Sequence, residues 1–133
     1  MPDPTAAVGQ GRLRVLVVDD NRDAADTLAR VLRLWGFETS AAYDAPAALD
    51  LARDAQPDCL VLDIAMPGMD GCALARQLRR DPALADSLLV ALTAYSDPLT
   101  QRQIFEAGFD HHLVKPADLD TLADILRERA GVS

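Results

Sequence analysis

Three aspartates, one threonine and one lysine carry the chemistry legible in this sequence: Asp19, Asp20, Asp63, Thr93 and Lys115. Lys115 is the only lysine among 133 residues, and every other basic side chain apart from two histidines is an arginine. Arginine is a flat, permanently charged fork, whereas lysine is a compact point charge that serves phosphate as a movable cation. Three carboxylates gathered at ~6 Å would repel by about 3 kcal/mol per pair at an effective dielectric of ~20. One ammonium does not offset three negative charges, so a divalent cation is a natural occupant. Oxygen donors without a His or Cys cluster favour Mg²⁺ over zinc, and Mg²⁺ keeps waters and often joins a substrate phosphate. A hydroxyl at Thr93 and an ammonium at Lys115 are what a transferring phosphoryl group needs opposite the metal. Asp63 precedes a Pro/Gly-rich stretch, and a carboxylate can act as nucleophile to form an acyl phosphate, so Asp63 is the expected acceptor. Taken singly, each aspartate is more simply a turn residue or a helix cap; the combination is what points to a site.

Such a combination requires elements that end together. Continuous apolar runs at 15–18, 59–62, 88–92 and 112–114, with a weaker one at 37–42, read as strands. Between them lie amphipathic stretches. Ala25, Leu28, Leu32 and Trp35 recur at helical spacing before Gly36, and Asp44 can cap a helix through Ala48, Leu49 and Ala52. Further helices are expected at 72–80, 98–107 and 118–129. Apolar strands alternating with helices imply a parallel sheet covered on both faces, a three-layer α/β/α sandwich. Right-handed crossovers bring the C-terminal strand ends to one edge, where Asp19, Asp20, Asp63, Thr93 and Lys115 would meet.

Composition bounds the rest. The length suits one domain, with 1–12 expected as a flexible N-terminal tail and 13–130 as the folded unit. A net charge of −8 argues against nucleic acid as a partner, and no apolar run is long enough to cross a membrane. Cys59 and Cys72 fit neither a disulfide framework nor a close metal pair, which favours a cytoplasmic setting, and Cys59 reads as a small buried hydrophobe. The Arg-rich, Lys-poor, Ala-rich balance suits a GC-rich bacterial genome.

VLVVDDN (15–21), LVLDIAMPGMDG (60–71), ALTA (91–94) and LVKP (113–116) resemble, in order, the response-regulator receiver domain of two-component signalling. The likeness runs over nearly the whole chain outside the first residues. It implies a flavodoxin-like (βα)5 doubly wound sheet of order 2-1-3-4-5. It implies a phosphorelay switch rather than an enzyme with a foreign substrate: Asp63 takes phosphate from the phosphohistidine of a histidine kinase or histidine phosphotransfer protein. Asp20, Asp63 and the backbone carbonyl of Ala65 would bind Mg²⁺ directly, with Asp19 acting through a metal-bound water. Thr93, followed by Ala94, and Lys115 would meet the phosphoryl group, and the Lys115–Pro116 bond is expected cis. Where relatives carry Tyr or Phe as a switch ring this chain has His112, either a titratable switch or a partly exposed strand residue. Ala65 and Tyr95 occupy the positions that tune acyl-phosphate lifetime. No separate output domain is expected; the switch would act on a downstream protein, as a free-standing regulator or as part of a hybrid histidine kinase. Two other classes fit the residues less well. A haloacid-dehalogenase-like phosphatase wants a second aspartate where Ala65 stands, and a pseudo-receiver would not keep all five residues. Leu99, Ile104 and Phe105 are each expected in the core, although one or more would serve partner binding if exposed.

Overall fold

The computed structural model describes residues 13–65 and 70–131. The expected N-terminal tail, and residues 66–69 of the Pro/Gly-rich stretch, lie outside the described residues. Five parallel strands, β1 (Arg14–Val18), β2 (Glu38–Ala42), β3 (Cys59–Asp63), β4 (Leu88–Thr93) and β5 (His111–Val114), are ordered β2-β1-β3-β4-β5. Five helices alternate with them: α1 (Arg22–Leu34), α2 (Ala45–Ala55), α3 (Gly71–Arg80), α4 (Pro98–Ala107) and α5 (Leu119–Ala130).

The period-2 geometry of a strand divides each apolar run between two faces. Val15, Val17, Cys59, Val61, Val90 and Leu92 pack with Ala25 and Leu32 of α1 and with Leu122 and Leu126 of α5. Leu16, Val18, Leu60, Leu62, Leu89 and Ala91 face the other way, onto Ala48 and Ala52 of α2, Leu74 and Leu78 of α3, and Ile104 of α4. A three-layer sandwich follows. Burial pushes the Cys59 thiol up to about 12, as suits a side chain used for packing.

Much of the acidic excess is structural. Asn21, Asp44, Asp70, Asp97 and Asp118 cap the five helices, each accepting a backbone N–H in the first turn. Such caps contribute about 1 kcal/mol apiece. Asp19, Asp20 and Asp63 cap no helix and need another explanation.

Three expectations required correction. β1 begins at Arg14, whose N–H donates to the Asp58 carboxylate at 2.9 Å. Asp63 belongs to β3 itself, in register with Leu92. Leu99 and Phe105 are not core residues: they are 64% and 76% exposed, against 2% for Ile104. Ile104 and Ala107 form the inward stripe of α4, and Phe105 is one residue, about 100°, off it.

Candidate functional site

The C-terminal ends of β1, β3, β4 and β5 deliver the polar residues singled out above. Beyond β1, the Asp19 N–H donates to the carbonyl of Ala42 at 3.1 Å, which continues the β1–β2 pairing by one residue. The Asp19 carboxylate turns back to accept from the Asn21 N–H at 3.0 Å. Asp63 ends β3, and the Ile64 N–H bonds the carbonyl of Leu92 at 3.0 Å, so β4 holds the strand end in place. Thr93 ends β4 in register with Val114, and the Lys115 N–H donates to the Thr93 carbonyl at 2.7 Å. The Lys115–Pro116 peptide is cis.

One carboxylate oxygen from each of Asp19, Asp20 and Asp63 lies within 4.8 Å of the others. That is tighter than the expected ~6 Å. At an effective dielectric of ~20, each pair then repels by roughly 3 kcal/mol or more. Lys115 Nζ stands 3.1 Å from Asp63 Oδ1 and 3.8 Å from Asp19 Oδ2. Both acids are buried while Asp20 is exposed, so the cluster opens to solvent on the Asp20 side. Burial, and then the negative charge of Asp63 and hydrogen bonding with it, hold the Asp19 carboxyl above its ordinary value; the Asn21 N–H and the Lys115 ammonium oppose the rise.

These are hard oxygen donors in excess of the local positive charge, a donor set that fits a small divalent cation such as Mg²⁺. Asp20 and Asp63 would hold such an ion, with the Asp19 carboxylate beside them.

The remaining residues flank this cluster. The Ala65 N–H donates to Asp63 Oδ1 at 3.2 Å, which puts the Ala65 backbone on the Asp63 carboxylate. Thr93 is buried, and its Oγ1 accepts from the Tyr95 N–H at 3.1 Å. Ala94 and Tyr95 are exposed. His112 is half-buried on β5, paired in register with Ala91, two residues before Thr93.

Sequence reasoning gave no role to Gly71, Asn21, Arg22 or Tyr43, all of which touch the loops that carry the site. The N–H of Gly71 donates to the carbonyl of Ile64 at 2.8 Å and ties the start of α3 to the end of β3. A glycine directly after the cap Asp70 was the available signal.

Residues 15–127 match the family model of the response regulator receiver domain. The response regulator MprA of Mycobacterium avium (strain 104) is 37% identical over 116 residues, covering 86% of this chain and 50% of that one. Among solved structures, the chemotaxis protein CheY4 of Vibrio cholerae superposes with a TM-score of 0.84 at 27% identity, covering 89% of this chain and 98% of that one. The signal receiver domain of a signal transduction histidine kinase from Syntrophus aciditrophicus gives 0.80 at 30% identity, with 90% and 92% covered. The chain therefore shares the fold of these domains. The chain spans about half the length of the curated relatives it matches. Among the described residues, no helix is long and apolar enough to cross a membrane.

Proposed function

The chain belongs to the response regulator receiver domain family, which serves two-component signalling, and from that premise we propose that Asp63 is its phosphoacceptor. The phosphoryl group comes from the phosphohistidine of a histidine kinase or histidine phosphotransfer protein. An oxygen of the Asp63 carboxylate bonds to phosphorus as the P–N bond breaks. The electron pair stays on the donor imidazole nitrogen, which takes up a proton. The one observation that carries this reading is the placement of Lys115 Nζ at 3.1 Å from Asp63 Oδ1 beside two further carboxylates.

Asp20, Asp63 and the Ala65 carbonyl would hold Mg²⁺, with Asp19 acting through a metal-bound water. When bound, the ion neutralises charge on the phosphoryl oxygens. The Lys115 ammonium passes from the Asp63 carboxylate to a phosphoryl oxygen, a move its flexible stem permits. Thr93 has its oxygen engaged by the Tyr95 N–H, and its own proton is the one to give to the phosphate. The chain is not an enzyme toward a foreign substrate; it promotes only its own phosphorylation and dephosphorylation.

New charge at Asp63 shifts the population of two conformations. Thr93 is the last residue of β4 and Lys115 the first after β5, so the face of α4, β5 and α5 registers the change. Leu99, Phe105, Val114 and Leu119 are exposed there and supply apolar contact to a downstream protein. His112, half-buried on β5, is the ring best placed to follow Thr93. The net charge of −8 favours a protein target over nucleic acid for this domain, and the reduced cysteines suit the cytoplasm.

Incubation with acetyl phosphate and Mg²⁺, followed by intact mass measurement, tests the proposal. The parent is expected to gain one phosphoryl group, and Asp63→Asn none. Equal modification of the two proteins, or no modification of the parent, would overturn it.

A further inference from the structure

Two of the three clustered carboxylates ride on the connection between β1 and α1, and a side chain from another element grips that connection. Tyr43 directly follows β2. The Arg22 guanidinium lies over its ring, 4.2 Å from the centroid. Its hydroxyl donates to Asp26 Oδ1 at 2.5 Å. Arg22 and Asp26 stand one turn apart on α1, so one tyrosine holds both ends of the first turn. Ala42, the residue before Tyr43, accepts the Asp19 N–H. Tyr43 is half-buried against the core that α1 shares with the sheet, which makes it a firm anchor. Asp20 is exposed, so its place depends on the backbone that carries it.

We infer that the Tyr43 ring, acting through Arg22, is a positioning device that holds residues 19–22 in the conformation presenting Asp19 and Asp20 to a divalent cation. The inference rests on the Mg²⁺ reading of the site and adds residues outside the acidic cluster to it. Charge and position act in opposite directions here. A guanidinium near a dication site repels the ion, so if Arg22 acted through charge alone its removal would tighten Mg²⁺ binding. A lost positioning contact instead leaves the carboxylates in the competent arrangement for less of the time, and the apparent affinity falls by that fraction.

Calorimetric titration of Mg²⁺ into the full chain, Arg22→Gln, Tyr43→Leu and the double variant reads the sign. Arg22 is exposed, so its replacement leaves the core untouched. Each single variant is expected to bind Mg²⁺ about two- to fivefold more weakly, the range of one exposed cation–π contact. The double variant should bind no more weakly than Tyr43→Leu alone, since that change already removes the ring through which Arg22 acts. In Mg²⁺-free protein, amide exchange across residues 19–22 should be faster in every variant. Tighter or unchanged binding in Arg22→Gln, or losses that multiply in the double variant, would overturn the clasp. A parent that takes up no Mg²⁺ would overturn the reading of the site beneath it.

Discussion

A Cβ on Gly71 would stand 2.6 Å from the carbonyl oxygen of Asp63, and 2.9 Å from the Cα of Ile64. Both neighbours are backbone, so neither can swing aside as a flexible side chain would. The end of β3 and the start of α3 therefore approach closely because position 71 has no side chain. Gly71→Ala is expected to displace the end of β3, at a stability cost of about 1–3 kcal/mol. Phosphorylation of Asp63 by acetyl phosphate, followed as a mass time course, should slow by about tenfold or more. A variant that keeps the parent rate would show that the strand end tolerates the shift.

Lys115 has opposite effects on the ion and on the reaction. Its ammonium competes with Mg²⁺ for the charge of Asp19 and Asp63. Lys115→Ala is expected to bind Mg²⁺ about two- to tenfold more tightly, since a screened like charge has been removed. The same variant should accept phosphate at least about tenfold more slowly, because charge building on the phosphoryl oxygens loses a donor. Titration and single-turnover rates check the two signs separately. Weaker binding together with slower transfer would indicate a collapsed site.

Asp19 sets a pH dependence. Burial and the Asp63 charge raise its carboxyl pKa above 3.8 in the folded chain. The folded state therefore holds that proton more tightly than the unfolded state. Its contribution to stability is fully present below the unfolded value and is lost as pH rises through the folded one. Asp19→Asn is expected to raise the Tm of Mg²⁺-free protein at neutral pH, with the gain shrinking toward zero as the pH falls to 3.8. Thermal melts in a chelator across pH measure this. A lower Tm at neutral pH would show that the carboxylate stabilises the fold there.

Stability and chemistry separate at Arg79. On the edge of the sheet opposite the acidic cluster, its guanidinium donates to the carbonyls of Ala85, Ser87 and Gly108 at 2.6–2.9 Å. It also pairs with Asp110 at 2.9 Å. Arg79→Ala strips several half-buried acceptors of a donor at once and is expected to cost about 2–4 kcal/mol in chemical denaturation. Mg²⁺ affinity measured well below the melting temperature should stay at the parent value. A change in affinity would mean that the two edges of the sheet communicate.

The sheet was legible because period-2 burial on both faces writes continuous apolar runs such as 59–62, and the site was legible because its residues stand at the ends of those runs. Lys115 was the clearest signal in the chain, through its contrast with every arginine. Contacts between distant segments left no such mark. Nothing in the sequence pairs Tyr43 with Arg22, or Arg79 with Gly108, since each depends on where helices settle after the sheet has formed. α2 ends on Gln56 at φ 47°, a conformation usually left to glycine, so the stop was marked there by Pro57 and not by a glycine. Phe105 was misplaced because its apolar character says core, whereas its angular position on α4 says solvent.

The central claim is a covalent acyl phosphate on one carboxylate. Borohydride reduction after incubation with acetyl phosphate and Mg²⁺ converts such a group to homoserine, and peptide mapping then locates it. Homoserine at position 63, abolished by a chelator, is the expected result. Phosphate recovered on a histidine, or homoserine at position 19 or 20 in place of 63, would contradict it.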